Sequence, residues 1–219
     1  MLILMFNIIL FTHITAGAIA LASAGVAIFS RKGASAHRRF GRIYALAMLA
    51  VGVSAIVLGL LRFNAFLLAI SLFTLYLVFT GWRAAMVRSG ADGKLDRAAG
   101  LGMALIGTGM IGWGLFILST GEFHPSIVLI VFGMIGVTLS LGDWRHWKRG
   151  PIAGTPRIAR HLSRMLAGTI ATLTATAVVN LGHLPSILVW LGPTVVLTPV
   201  IAWWTAKLDR SGSQRGVSG

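Results

Sequence analysis

The groups in this sequence that can do chemistry are six histidines and a population of arginines, since the chain contains no Cys. In HLSRM, His161 and Arg164 stand three residues apart, on one side of any helix that carries them. In HRRFGRIY, His37, Arg38, Arg42 and Tyr44 fall within one short run. Imidazole beside guanidinium suits an anion, a lipid phosphate or a quinone carbonyl. It suits a cation poorly, because the neighbouring arginine charge opposes one. A second set, His13, His124 and His183 with Glu122 nearby in sequence to His124, offers N and O donors of the kind that hold zinc or copper. Two imidazoles at matched depth also suit a membrane haem, pairing His13 with His183 or His37 with His161. None of these spacings is a local metal motif. No Walker or Gly-x-Ser-x-Gly pattern is present, and enzymatic activity is left open.

The elements that must position these groups are apolar. Of the 219 residues, 56% are hydrophobic and 11% are charged, whereas a soluble domain is about 45–50% apolar and about 25% charged. That excludes a soluble domain, and the hydrophobicity excludes a disordered chain. A spanning helix needs about 20 mainly apolar residues. Seven runs qualify: 4–30, 43–61, 65–82, 99–119, 126–142, 163–182 and 185–206. No basic residue precedes the first run, so it reads as a spanning helix and not as a cleaved signal peptide with its positive leader.

Charge fixes the expected topology. The connections 31–42, 83–98 and 143–164, together with Lys207, Arg210 and Arg215 at the C-terminal end, carry every one of the 19 Lys and Arg residues except Arg62. With seven spans, all of these segments fall on one side, and the positive-inside rule makes that side cytoplasmic. The N-terminus is then outside and the C-terminus inside. The net charge of +14 is accounted for by an anionic leaflet and calls for no nucleic acid. Trp144, Trp147, Trp203 and Trp204 sit where an interfacial aromatic belt is expected.

Small residues supply the packing faces, because helices in lipid associate through close approach. Ala16, Ala20, Ala24 and Ala27 mark such a face on the first helix, and Gly100, Ala104, Thr108 and Gly112 on the fourth. The sixth run carries a polar stripe: His161, Arg164, Gly168, Thr172, Thr176, Asn180 and His183. Thr172 and Thr176 can bond back to their own helix. Asn180 is expected to need a partner on another helix. No carboxylate is expected deep within a span. Pro193 and Pro199 predict a kinked or broken last helix.

The His-bearing first helix FTHITAGAIAL, RKG at 31–33, HRRFGRIY at 37–44 and the late HLSRMLAGTIATLTATAVVN at 161–180 resemble a family of polytopic bacterial membrane proteins of unknown function. The resemblance spans most of the chain, and its most specific part is HRRFGRIY. It implies a multi-helix inner-membrane protein and points to His13, His37, Arg38, Arg42, Tyr44, His161, Arg164 and Asn180. It carries no established activity.

The expectation is therefore an all-α bundle of seven transmembrane helices in one domain, 1–208, with a short polar tail at 209–219, in the bacterial cytoplasmic membrane. The leading class is a membrane protein that binds a small ligand or cofactor (haem, zinc or copper, or quinone) through His and Arg, with a redox link. The alternatives are a small-solute transporter or channel and a non-catalytic assembly or scaffold protein. Oligomeric state is left open.

Overall fold

A computed structural model describes the backbone of residues 1–217 and the side chains of residues 1–208. Among the described residues, seven α-helices follow one another: α1 (Leu2–Phe29), α2 (Ser35–Leu61), α3 (Ala65–Met86), α4 (Lys94–Ser119), α5 (Phe123–Arg149), α6 (Gly154–Asn180) and α7 (Ser186–Val217). Each contains a stretch long and apolar enough to cross a membrane, with mean hydropathy from 1.4 in α6 to 2.4 in α2. The low value of α6 reflects its polar stripe. Exposed Leu, Ile, Val and Phe side chains cover the outer surfaces of these helices, as a bilayer solvent requires. The chain divides into two compact units, Met1–Val78 and Phe79–Gly219.

In the first unit α1 packs on α2. Ala16, Ala20, Ala24 and Ala27 are all buried, so the alanine face marked in the sequence is the contact face. Gly52 of α2 faces Leu75 of α3 so closely that a Cβ there would lie 2.3 Å from the leucine side chain. Between α2 and α3, the Asn64 side chain accepts the Leu67 N–H at 3.0 Å, satisfying one of the orphan donors at the start of α3. Arg62 lies 4.2 Å from the Phe6 ring centre, a cation–π contact.

In the second unit α4 packs on α5, α6 on α7, and α5 on α7. The α4 contact face differs from the expected one. Gly100, Met103, Gly107, Met110 and Gly114 are buried, whereas Thr108 and Gly112 are exposed. The reason is geometric: steps of four residues drift by about 40° each around a helix, while seven-residue spacing stays close to one face. Gly107 and Gly133 meet backbone to backbone, since a Cβ on either would lie 2.9 Å or 2.7 Å from the other's carbonyl oxygen. The last helix runs through Pro193 and Pro199 without interruption and continues through the expected tail to Val217, so it is not broken.

Candidate functional site

In the first unit His13 and His37, two of the expected ligand residues, tie α1 to α2. His37 Nδ1 lies 2.9 Å from the Ala27 carbonyl, and the Lys32 ammonium donates to the Ala27 and Ile28 carbonyls. Both side chains thus serve orphan carbonyls at the end of α1. Partial desolvation moves the Lys32 ammonium below the usual lysine value. Arg38 donates to the Gly33 carbonyl, Arg42 is exposed, and Tyr44 is buried in the helix pair. His13 Nδ1 lies 3.2 Å from the Val51 carbonyl and 3.0 Å from the Ser54 hydroxyl, which ties α1 to α2.

His124 and His183 belong to the second unit and are exposed. His124 packs edge-on against Phe123, and His183 lies in the α6–α7 turn. Among the described residues no three His, Asp or Glu side chains converge to hold a metal ion. The polar stripe of α6 bonds back to its own helix: Thr172 to the Gly168 carbonyl, Thr176 to that of Thr172, and Asn180 to that of Thr176, at 3.0, 3.0 and 2.8 Å. The partner expected for Asn180 on another helix is thus replaced by its own helix, four residues back, and its side chain is exposed.

The concentration of charge lies at the other end of α6. Arg157, Arg160, His161 and Arg164 recur at spacings of three and four and so share one helix face. Arg164 is 4% exposed and donates to the Asp143 carboxylate at 2.8 Å and to the Leu139 carbonyl at 2.9 Å. Arg160 donates to the same Asp143 oxygen at 3.0 Å and to Asp92 at 3.2 Å. Arg157 donates to the Ala84 and Ala85 carbonyls at 2.6 and 3.2 Å, the last-turn acceptors of α3. His161 Nδ1 lies 2.9 Å from the Gly81 carbonyl. Gly81 permits that approach, because a Cβ there would lie 2.9 Å from Arg164 Cβ and 3.0 Å from the Met165 sulfur.

A neighbouring pair completes the network. Arg83 Nε and Nη2 donate to the two Asp96 oxygens at 2.9 and 2.6 Å, a two-pronged pairing of the strong kind. Asp96 also accepts the Gly93 N–H at 2.8 Å, at the start of α4. The loop between α3 and α4 is closed by Gly90, whose carbonyl accepts the Ile152 N–H at 3.1 Å. Only glycine fits at this position: φ is +69° and a Cβ would lie 1.9 Å from the Ile152 oxygen.

Three of the five acidic residues of the whole chain, Asp92, Asp96 and Asp143, are thus in ion pairs with arginine. The two that are most buried, Asp96 and Asp143, lie just outside the apolar runs 99–119 and 126–142, near the ends of α4 and α5. Asp96 and Asp143 are 5% and 1% exposed. Helices α4 and α5 extend to Lys94 and Arg149, past the apolar runs that end the hydropathy signal, and so carry both acids into packed structure. Arg83, Arg157 and Arg160 and the three aspartates were not singled out from the sequence. The i, i+3, i+4, i+7 spacing on α6 and the rarity of acids were the available signals.

Arg160 lies between two cavities. One, of about 20 Å³, is lined by Arg83, Asp92, Asp96 and Arg157, and has room for a water with several polar partners. The other is a cleft of about 390 Å³ among α5, α6 and α7, lined by Asp143, His146, Arg160, Ser163, Arg164 and Thr205 among others. The chain matches no protein-family model, no curated protein and no solved structure.

Proposed function

We propose that this chain is a multi-pass membrane protein that binds an acidic ligand in the cleft among α5, α6 and α7. The observation that carries the proposal is the pair of guanidiniums, Arg160 and Arg164, which share one carboxylate oxygen of Asp143 at the wall of a cleft of about 390 Å³. Ligand sites commonly have this size. Arginine forks are suited to carboxylate and phosphate, and ionised pairs make the stronger hydrogen bonds. Ionisable groups within spanning helices are costly and mark functional sites by default.

His161 and Arg164, the inner-face pair of the sequence, have different roles in this proposal. Arg164 lines the cleft, and His161 anchors α6 to α3 through the Gly81 carbonyl. A quinone carbonyl would meet the same donors, which is the form a redox link takes here. The basic connections support a cytoplasmic position for this end and a cytoplasmic C-terminus in a bacterial inner membrane. Transport of a small acid is the second reading, favoured by the contribution of α7, with its two internal prolines, to the cleft wall.

The test is a thermal-shift series on the purified protein with inorganic phosphate, a dicarboxylate and a short-chain acidic lipid. A ligand that binds only the native state raises the melting temperature in a concentration-dependent way. At least one of these acids is expected to stabilise wild type and to fail on Arg160→Gln. Equal responses of both proteins to every acid would refute the proposal.

A further inference from the structure

We infer that the cleft takes the phosphate of an anionic phospholipid headgroup. This deepens the acid-site proposal and rests on it. Three observations support it: the depth of the cleft, its charge and its donors.

The depth is marked by two tryptophan–lysine pairs. Trp144 follows the cleft residue Asp143 directly on α5 and is exposed. Trp203 stands two residues before the cleft residue Thr205 on α7 and is exposed as well. The Lys148 ammonium lies 5.3 Å from the Trp144 ring, and that of Lys207 lies 5.3 Å from the Trp203 ring. An amphipathic indole under a lysine is the surface that a spanning helix presents to the headgroup layer. Two helices of the cleft therefore reach the level of lipid phosphates at the cleft itself.

The charge at the cleft wall is two guanidiniums on one carboxylate: Arg160 and Arg164 share a single oxygen of Asp143. A phosphodiester carries one negative charge and two free oxygens, and guanidinium forks match such oxygens. Of the hydroxyls along the cleft, Ser163 donates to the Arg160 carbonyl and Thr205 to those of Ile201 and Ala202. The other side-chain donors of the cleft wall are the guanidiniums, His146 and Thr138.

The experiment uses the full chain, stripped of lipid in a neutral detergent and examined by native mass spectrometry. Phosphatidylglycerol, phosphatidylcholine of the same chain length and inorganic phosphate are added in turn. Phosphatidylglycerol is expected to form a one-to-one adduct at a concentration at least tenfold lower than phosphatidylcholine. Arg160→Gln is expected to weaken that adduct about tenfold. Ala159→Phe, which puts a ring into the cleft from its α6 wall and leaves every ion pair in place, is expected to do the same. Equal retention of the two lipids, or an undiminished adduct in Ala159→Phe, would overturn the inference. Binding of inorganic phosphate without lipid preference would overturn the lipid source and keep the acid site. Binding of no acid by wild type would overturn both.

Discussion

Replacing Asp143 with Leu removes the carboxylate that holds two guanidiniums at 2.8 and 3.0 Å in a position only 1% exposed. Arg160 keeps Asp92 as a partner, and Arg164 keeps the Leu139 carbonyl. Breaking a buried ion pair from one side costs about 3–5 kcal/mol, because a charge is left without compensation in a poorly solvated place. At about 2–4 °C per kcal/mol for a chain of this size, Asp143→Leu is expected to lower the melting temperature by about 10 °C. Arg164→Met alone leaves Asp143 paired with Arg160 and is expected to cost about 2 kcal/mol, the scale of one charged hydrogen bond. The double variant removes both charges and fills the space with apolar groups, which commonly recovers most of the loss. Its melting temperature is therefore expected to lie within about 3 °C of wild type. The assay is tryptophan-detected melting of all four proteins in one detergent. A double variant that melts at the sum of the single losses would refute the reasoning, since it would show that the two side chains are not coupled.

Three further outcomes are expected. Gly90→Ala meets both a positive φ and the Ile152 oxygen, so folded protein in the membrane should fall severalfold, measured as monodisperse yield from a fluorescent fusion. Thr176→Val and Asn180→Ala remove side chains that bond only back along α6, so melting should change by no more than about 0.5 kcal/mol equivalent. A reporter enzyme fused after Gly219 should be active on the cytoplasmic side, following the basic connections, and a periplasmic signal would refute the seven-span topology.

Much of the architecture was legible because a bilayer makes hydropathy nearly sufficient. Each apolar run became one helix, and Ala16, Ala20, Ala24 and Ala27 form the buried face their spacing indicated. Helix ends were less legible. Hydropathy stops where charge begins, so Asp96, Asp143, Arg157 and Arg160 fell in presumed loops, although α4, α5 and α6 carry them into packed structure. Arg164 was found from its neighbour His161, but its partner was not, because an ion pair across 21 residues leaves no local trace. His13 and His37 were legible as polar groups in an apolar setting. Their bonds to Val51 and Ala27 carbonyls depend on how α1 meets α2, which spacing along one helix cannot give. Asn180 was misplaced because its amide was assigned no acceptor on its own helix, although the carbonyl four residues back was within reach.

The glycine contact between α4 and α5 has a mechanical consequence. Where Gly107 lies on Gly133 the backbones touch, and Val137 of α5 and Ile111 of α4 seat against the glycine of the other helix. Axial register is held at a second place on the pair as well. Near its charged end the Ser140 hydroxyl of α5 donates to the Gly100 carbonyl of α4 at 2.7 Å, and the Trp147 ring closes over Gly100, 2.8 Å from where a Cβ would stand. One hydroxyl and one indole thus act as a pin and a stop, and they hold α4 at the height that brings Asp96, four residues before Gly100, to Arg83.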